Sequence, residues 1–390
     1  MSTPKEQQIR VLLCTDASII ATPLKRALLG NTAITVHKEV PDTVSAVTAV
    51  RKRDTDTVLL DIGIGKSAVH TAITRLKRAD PNVNIVMLGS LSFANVRTSM
   101  QGLMDGAADY VPTPTRHATG IDQRTFKESL DRVLRALGRR DAKTVAPTPP
   151  PEATPTISKV TPKILLIGSS TGGPQAVTDL LAGLGNDFNL PILITQHMPV
   201  GFTSIFAKNL SRQLERHVQE GSEAHDLQPG DILIAPGGIH MQVQAEGQST
   251  HVHLFDGPKI NYCKPSVDPL FESAAAIYGA AVLAVVLTGM GHDGRDGAGA
   301  VVRAGGTVLA QDKATSVVWG MPGAVTEAGF AAEVLPIKDI APRVLSLTNG
   351  RSEAPIQPRH RGERQPHDDD QRQAGAGKIR KRIMPRAHHQ

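Results

Sequence analysis

Residues 164–173, ILLIGSSTGG, constrain the fold of this chain more than any other segment. Four apolar residues in series are typical of a strand buried in a parallel sheet, and the glycine-rich turn leads into a helix-like pattern, PQAVTDLLAGL. The turn also matches G-x-S-x-G, a sharp strand-to-helix turn that exposes a nucleophilic serine above a sheet. The segment therefore predicts an α/β fold and makes Ser170 the first candidate for chemistry.

The same turn has a second interpretation, because helix N-termini bind anions through their free N–H groups. A nucleotide-binding α/β module would use GSSTGG as a phosphate cradle. The lysine of a P-loop is absent, however, and the segment does not match G-x-G-x-x-G. The turn alone leaves both a nucleophile and an anion site open.

The net charge of +6 is concentrated at the C-terminal end. Residues 350–390 carry ten Lys/Arg and five Asp/Glu, which leaves a net charge of +1 for residues 1–349. A nearly neutral folded part and an aromatic content of 3% argue against a nucleic-acid-binding face. The basic tail has no apolar periodicity, and we predict that it is disordered.

Hydropathy and the number of cysteines argue against a membrane-spanning protein and against a secreted, disulfide-bonded one. No apolar run approaches the roughly 18 residues of a membrane span, and the charged start MSTPKEQQIR is no signal peptide, so we predict a cytoplasmic protein without membrane insertion. The two cysteines, Cys14 and Cys263, are far apart in the sequence. This argues against a disulfide scaffold and against a cysteine-based zinc site.

Strands and helices alternate in two units, which predicts two doubly wound parallel sheets. The first unit covers residues 9–140, and a linker rich in proline follows at 141–161. The second unit covers residues 162–349, and it contains strand patterns at ILLIG, PILITQ, DILIA, AVLAVVL and GTVLAQ. The disordered basic tail, 350–390, completes the chain.

Three polar residues follow apolar strands of the second unit: Ser170, His197 and Asp293. Ligands of open α/β sheets bind beyond the carboxyl ends of the strands, so these side chains can converge on one site. In a Ser-His-Asp hydrolase, His197 would take the proton of Ser170, and Asp293 would orient the imidazole. Backbone amides would stabilise the oxyanion.

Each member of this set also has a structural interpretation. His197 could be a hydrogen-bonded residue at a strand end, and Asp293 could cap the next helix. Asp296 competes for the Asp role, and His292 is adjacent to Asp293 in the chain. The order Ser, His, Asp also differs from the order in α/β-hydrolases.

Six blocks of the second unit carry a resemblance to a known family: IGSSTGGPQAV, QHMPVGFT, ILIAPGGIH, KPSVDPLF, VVLTGMGHDG and VVWGMP. In this order they resemble the catalytic domain of the chemotaxis response-regulator protein-glutamate methylesterases. The resemblance implies that Ser170 is the nucleophile, His197 the base and Asp293 the third member. It also implies that Thr171 and Met290 line the site, with the Met290 amide as an oxyanion donor.

The resemblance implies a serine hydrolase that demethylates glutamate methyl esters on chemoreceptors and also deamidates glutamines. The catalytic domain would be Rossmann-like and would need neither a metal nor a cofactor. Methylated chemoreceptors and a chemotaxis histidine kinase are the implied partners. The family also implies that the first unit inhibits the second. A signalling scaffold that binds receptor or kinase without activity is the alternative function.

The first unit resembles a receiver domain of the flavodoxin type. Asp61, at the end of TVLLDI, lies where receivers carry the phosphorylated aspartate, and Asp16 matches one member of the usual acidic pair. Thr15 replaces the other member of that pair, and Thr113 replaces the usual lysine. The resemblance therefore implies a phosphorylation candidate, Asp61, with only a residual acidic pocket around it.

These replacements remove parts that phosphoryl transfer needs. A receiver holds a divalent ion with several carboxylates and neutralises the transferred group with a cation. The position of the receiver hydroxyl holds Gly89, with Ser90 adjacent, and the segment IGIGKSAV lacks the usual turn. We therefore predict a degenerate receiver that binds Mg²⁺ poorly and serves as a docking element or steric cover. The alternative is that Ser90 and Lys66 substitute.

Overall fold

The computed structural model describes residues 8–349 with the exception of 17, 29–30, 32, 64–68, 115–119, 139–154 and 248. The predicted tail, 350–390, and linker residues 141–154 lie outside the described residues. Among the helices of the described part, none is both long enough and apolar enough to cross a bilayer.

The N-terminal unit alternates strand and helix throughout. Its elements are β1 (Ile9–Cys14), α1 (Ser18–Leu28), β2 (Ile34–Val40), α2 (Thr43–Val50), β3 (Thr57–Asp61), α3 (Val69–Ala79), β4 (Asn84–Gly89), α4 (Phe93–Met104), β5 (Asp109–Pro112) and α5 (Gly120–Gly138).

The five strands of this unit form one parallel sheet in the order β2-β1-β3-β4-β5. This is the flavodoxin-like order, with helices on both faces. Strand β3 is buried along its whole length, as expected for a central strand covered on both sides. The predicted receiver-like fold is confirmed.

The second unit is larger and has one antiparallel addition. Its elements are β6 (Ile164–Ser169), α6 (Gly173–Leu184), β7 (Ile192–Gln196), α7 (Phe202–Leu214), β8 (Gln219–Glu220), β9 (Ile232–Ile234), β10 (His240–Glu246), β11 (Ser249–Phe255), α8 (Val267–Tyr278), β12 (Val282–Val286), α9 (Arg295–Arg303), β13 (Thr307–Gln311), α10 (Met321–Glu327), β14 (Glu333–Leu335) and α11 (Ile337–Thr348).

Seven of these strands form a parallel sheet in the order β14-β13-β12-β6-β7-β9-β8, and β10 pairs with β11 in a separate hairpin. After β6 the chain forms β7, β8 and β9 on one side of β6 in the sheet. It later forms β12, β13 and β14 on the other side of β6. The order therefore reverses between β6 and β12, and such a switch point opens a crevice at the carboxyl ends of the strands. The predicted doubly wound α/β class is confirmed.

The described end of the predicted linker, residues 155–161, lies along the second unit. The Ser158 amide donates a 2.8 Å hydrogen bond to Thr307 Oγ1, and the Ser158 hydroxyl donates to the carbonyl of Ala280 at 2.8 Å. This part of the chain is therefore fixed at the amino ends of β12 and β13, two interior strands of the seven-stranded sheet. The domain boundaries themselves stay a prediction.

The two units pack directly against each other. Helix α4 of the first unit contacts α6 and α7 of the second. The rings of Tyr110 and Phe202 lie 5.6 Å apart across this contact. Leu103 and Phe206, one from each unit, belong to the same buried apolar cluster. This part of the interface is therefore apolar.

Candidate active site

Ser170 lies in the turn between β6 and α6, and its backbone is held on two sides. Its N–H donates to the Thr288 carbonyl at 3.0 Å, and its carbonyl accepts from Gln196 Nε2 at 2.9 Å. Gly289 approaches so closely that a Cβ there would lie 2.9 Å from the Ser170 Cβ. The turn is therefore fixed by the ends of β7 and β12, the two strands that flank β6.

His197 and Asp293 follow those same two strands, and they form a pair. His197 Nε2 lies 2.7 Å from Asp293 Oδ2. The imidazole is 11% exposed and the carboxylate 1% exposed, so the contact is shielded from water. The structure thus brings Ser170, His197 and Asp293 to the switch point, as the strand ends predict.

Three further donors hold the carboxylate of Asp293. Ser266 Oγ donates to Oδ1 at 2.6 Å, the Val267 amide donates to Oδ2 at 2.7 Å, and Asn261 Nδ2 donates to Oδ1 at 3.0 Å. Burial by itself raises the pKa of Asp293, but the contacts from His197, Ser266 and Val267 outweigh it and lower the pKa. Asp293 is therefore a fixed, ionised partner for the imidazole.

Asn261 links Asp293 to a second buried carboxylate. Its Nδ2 also donates to Asp268 Oδ2 at 2.7 Å, and the Gly297 amide donates to Asp268 Oδ1 at 2.8 Å. Burial, and then repulsion from Asp293, raises the pKa of Asp268. Asn261 is held in the left-handed region, with φ of 50°. A strained residue that bridges two carboxylates indicates a supporting shell for the site.

The other nitrogen of His197 faces a thiol. Nδ1 lies 3.4 Å from Cys263 Sγ, which is also 3.3 Å from the Asn261 carbonyl. Between these described residues no hydrogen bond joins the imidazole to Ser170 Oγ. Burial lowers the pKa of His197, but the contacts with Asp293 and Cys263 outweigh it and raise the pKa. These contacts stabilise the imidazolium that forms when His197 accepts a proton.

Two backbone N–H groups beside Ser170 are candidates for an oxyanion site. Within the described part of the chain, the amides of Thr171 and Met290 donate to no other residue. Thr171 follows Ser170 directly, and Met290 follows Gly289. An unpaired N–H beside a nucleophile is the arrangement that binds a developing oxyanion. The role of both amides as oxyanion donors stays a prediction.

The N-terminal unit covers this site. The Ala108 carbonyl accepts from the Gly172 amide at 2.9 Å, and the Asp109 carboxylate accepts from the Thr171 hydroxyl at 2.6 Å. What remains is a cavity of about 80 Å³ between the units. It is lined by residues of both, including Leu103, Tyr110, Ser170, His197 and Phe202. A space that holds only a few water molecules excludes a peptide substrate.

The competing candidates near Asp293 lie elsewhere. Asp296 is exposed and accepts from Arg295 Nε at 2.8 Å, and His292 is exposed at the surface. Neither contacts His197. Of the two aspartates that the sequence leaves open, the structure therefore places Asp293 against the imidazole.

The receiver-type site has few ligands for a cation. Asp61 is buried, and its two oxygens accept from Thr15 Oγ1 at 2.9 Å and from the Gly63 amide at 2.7 Å. Burial, more than any contact, raises the pKa of Asp61. Asp16 is exposed. Within the described residues no group of three His, Cys, Asp or Glu ligands includes Asp61, and poor binding of Mg²⁺ by the remaining pair, Asp16 and Asp61, stays a prediction.

Of the two residues that could substitute for the missing receiver groups, Ser90 is described and Lys66 is not. Gly89 closes β4, where a Cβ would lie 2.6 Å from Ile62 Cδ1, and it accepts from the Thr113 amide at 2.8 Å. The Ser90 hydroxyl accepts from Asn95 Nδ2 at 3.0 Å. Lys66 lies outside the described residues.

Sequence reasoning missed the residues that support the triad. Ser266 and Asp268 lie in KPSVDPLF, a block that carries the resemblance but to which no role was assigned. Asn261 and Cys263 precede that block and match no motif. Gln196 adjoins His197, and only the fold shows that its amide holds the Ser170 loop.

Comparison with known proteins agrees with this architecture. The CheB methylesterase family profile matches residues 165–344, and the response regulator receiver domain profile matches residues 11–123. A protein-glutamate methylesterase/protein-glutamine glutaminase of Azospirillum brasilense is 40% identical over 363 residues, covering 86% of this chain and 92% of the relative.

A second such protein, from Caulobacter vibrioides, is 39% identical and covers 87% of this chain and 98% of its own length. The crystal structure of the Thermotoga maritima CheB methylesterase catalytic domain is 42% identical, with a TM-score of 0.47. It covers 48% of this chain and 100% of that one. The chain belongs to the CheB family of protein-glutamate methylesterases/protein-glutamine glutaminases.

Proposed function

We propose that this protein hydrolyses glutamate methyl esters on chemoreceptors, and the corresponding glutamine amides, with Ser170 as nucleophile. The observation that carries the proposal is the shielded contact of 2.7 Å between His197 Nε2 and Asp293 Oδ2, beside Ser170 at the switch point of the sheet. The curated relatives are named for these two activities, and family membership supports the same chemistry here.

The ring orientation assigns a role to each nitrogen of His197. Asp293 occupies Nε2, so Nδ1 is the nitrogen that takes the proton of Ser170 Oγ. The two groups are not hydrogen-bonded to each other in the covered state. Such contacts often tighten only when substrate binds, so this geometry is compatible with the role.

The reaction then follows as acyl transfer in two halves. Ser170 Oγ attacks the ester carbonyl carbon while its proton passes to His197 Nδ1, and the oxyanion is bound by the amides of Thr171 and Met290. Collapse breaks the C–O bond and the imidazolium protonates the leaving methanol. Water then attacks the acyl-enzyme with His197 again as base, which releases the glutamate and restores Ser170. With glutamine, the leaving group is ammonia.

The N-terminal domain acts as a cover in this proposal. Its contacts are with Thr171 and Gly172, the two residues that follow the proposed nucleophile, and the residual cavity is too small for a receptor segment. Activity therefore requires that the two domains separate. This supports inhibition of the esterase by the N-terminal domain.

We further propose that this cover is not released by ordinary receiver phosphorylation. Asp61 is buried, both of its oxygens accept hydrogen bonds, and burial raises its pKa, which disfavours the ionised carboxylate that would attack a phosphodonor. Incubation with labelled acetyl phosphate should leave no more label on the wild type than on Asp61→Asn. Rapid labelling that depends on Asp61 would contradict this and restore a role for a histidine kinase.

The esterase proposal is tested by methanol release from methylated receptors in membranes. Ser170→Ala should lose about 10⁶-fold in kcat, as when the serine of a protease triad is removed. Ser204→Ala, on α7, is the matched control and should retain activity. Equal rates above background for the wild type and Ser170→Ala would refute Ser170 as the nucleophile. Methanol release at the background rate by both would favour a binding role without catalysis.

A further inference from the structure

The proposed base nitrogen of His197 faces the thiol of Cys263 across 3.4 Å. A tetrahedral Zn²⁺ ion bonds nitrogen at 2.0–2.1 Å and sulfur at about 2.3 Å, so two such ligands lie about 3.6 Å apart. The Nδ1–Sγ separation already matches this spacing. We infer that His197 and Cys263 form a binding site for a thiophilic divalent cation such as Zn²⁺, and that the bound ion inhibits the esterase.

The surroundings of His197 are those of a metal-binding histidine. Such histidines almost always donate their second ring N–H to a carboxylate, a backbone carbonyl or water, which fixes the ring and strengthens the ligand. Asp293 provides this contact at 2.7 Å, and it is itself held by Ser266 and Val267. His197, Cys263 and Asp293 are the one group of three potential ligands that lie close together in the described residues. Here Asp293 is the supporting partner, and Nδ1 and Sγ bind the ion.

A tight turn places the Cys263 thiol beside His197 Nδ1. The amides and carbonyls of Ile260 and Cys263 are hydrogen-bonded to each other at 3.1 and 2.8 Å. Both central residues, Asn261 and Tyr262, adopt positive φ. The thiol is partly exposed, unlike that of the buried Cys14, so an ion can reach it from solvent. Two protein ligands leave the other positions of the ion to water.

The donor atoms select the class of cation. A thiolate and an imidazole favour Zn²⁺ and similar soft ions over Mg²⁺ and Ca²⁺, which prefer oxygen. The site differs from an all-cysteine zinc centre, for which this sequence has too few cysteines. It consists of one cysteine and one histidine that are 66 positions apart.

Inhibition follows from the position of the ion, and this consequence rests on the proposed function. Nδ1 must be free to accept the proton of Ser170, and a metal ion bound there removes its lone pair. Hydrolysis should therefore stop while the ion is bound and resume when a chelator removes it. Binding itself requires no catalytic activity, so it can be measured separately.

Metal binding is tested on the full chain with Co²⁺ as a spectroscopic probe. The wild type and Cys14→Ala should develop the thiolate-to-cobalt charge-transfer absorption, and Cys263→Ser should not. Ser170→Ala should still develop it, whether or not the protein is an esterase. This absorption reports only thiolate ligation, so the histidines of residues 350–390 do not interfere. Its absence from the wild type, or its persistence in Cys263→Ser, would overturn the site.

Inhibition is tested with Zn²⁺ in the methanol-release assay, and each variant is compared with its own metal-free rate. We expect the half-inhibitory Zn²⁺ concentration to rise at least about tenfold in Cys263→Ser and to stay unchanged in Cys14→Ala, since even outer partners of a metal contribute about that factor. Equal values for the wild type and Cys263→Ser would overturn the inference. No hydrolysis by any variant, with the cobalt absorption intact, would instead refute the proposed function alone.

Discussion

The carboxylate of Asp109, the first residue of β5, accepts a hydrogen bond of 2.6 Å from the hydroxyl of Thr171, the residue that follows Ser170. The N-terminal domain thus reaches the residue next to the proposed nucleophile with a titratable group. The adjacent Ala108 carbonyl accepts from the Gly172 amide. Closure of the two domains therefore blocks access to Ser170, and the stability of the closed arrangement depends on the charge of Asp109.

This coupling predicts a pH dependence of inhibition. Burial raises the pKa of Asp109, and the hydrogen bond from Thr171 only partly opposes it. Asp109 therefore binds its proton more tightly when the domains are closed, so closure is favoured at low pH and weakens as pH rises through the closed-state pKa. Asn at this position keeps an acceptor for Thr171 but cannot ionise.

We expect the ratio of wild-type to Asp109→Asn basal activity to be near one at low pH and to increase with pH. A tenfold ratio corresponds to about 1.4 kcal/mol of closure free energy. The measurement is methanol release by both full-length proteins between about pH 4 and pH 8, a range that begins near the ordinary pKa of an aspartate. Because both proteins share the triad, its own titration cancels in the ratio. A ratio that is constant with pH would contradict the prediction.

The apolar part of the interface should be equally necessary for inhibition. Leu103, on α4, is buried in the cluster shared by the two domains and lines the covered cavity. Leu103→Glu places a charge there, which closure can accommodate only at a cost of several kcal/mol. We expect basal methanol release to increase at least about tenfold, since each 1.4 kcal/mol is a factor of ten.

The control for this experiment is the same change at an exposed apolar residue of the same domain. Val44, on α2, is 65% exposed, so Val44→Glu should leave basal activity unaltered. Circular dichroism and gel filtration would establish that both variants are folded. Equal basal rates for the two variants would show that Leu103 does not hold the domains together.

The sequence could predict the triad because each member follows an apolar strand. Ser170, His197 and Asp293 come after β6, β7 and β12, which lie side by side, and the carboxyl ends of neighbouring parallel strands share one edge. The strand patterns and the family blocks were therefore sufficient for these positions. Thr171 and Met290 are placed by the same turns.

The supporting residues could not be predicted in this way. Asn261 and Cys263 lie in a turn that matches no motif. Their partners, Asp293 and His197, are 32 and 66 positions away in the sequence, so only the folding of the whole domain brings them together. The orientation of the His197 imidazole could not be predicted from the sequence either, because the spacing of residues does not determine which ring nitrogen faces Asp293. The contact of Asp109 with Thr171 depends on docking of two domains, which neither domain's own pattern encodes.

The amide of Asn261 should contribute to kcat through Asp293. Asn261→Gly removes its hydrogen bonds to Asp293 and Asp268 while it tolerates the positive φ of 50°. A hydrogen bond to a charged group contributes about 1.5–3 kcal/mol. We expect kcat for methanol release to fall about tenfold, with little change in KM, because Asn261 does not line the cavity.

The neighbouring Tyr262→Gly separates this effect from backbone strain. Tyr262 also has a positive φ, of 65°, but its side chain is 86% exposed. This variant should retain kcat within about twofold, since it relieves strain without removing a partner of Asp293. If both variants lose activity equally, the geometry of the turn and not the Asn261 amide is responsible.

The close approach of Gly289 to Ser170 leads to a last prediction. A Cβ at Gly289 would meet Met321 Sδ and would lie 2.9 Å from the Ser170 Cβ, so residue 289 or its neighbours must shift, and we expect Gly289→Ala to displace the nucleophile turn. Overpacking of this kind costs about 1–3 kcal/mol of stability. A displacement of about 1 Å at a reacting group costs about 10²-fold in rate. We therefore expect kcat to fall about 10²-fold while the protein stays folded.

Gly183→Ala is the matched control. Gly183 lies near the end of α6 that is remote from Ser170, and its new Cβ would lie 2.7 Å from Ala341 Cβ, so it is similarly crowded. It should perturb packing without moving Ser170, so its kcat should stay within about threefold of the wild type when both are compared at the same fraction folded. Thermal unfolding of the two variants provides that correction. A loss of activity in Gly289→Ala that only parallels its loss of stability would mean that the turn tolerates the added methyl group and that Gly289 serves packing alone.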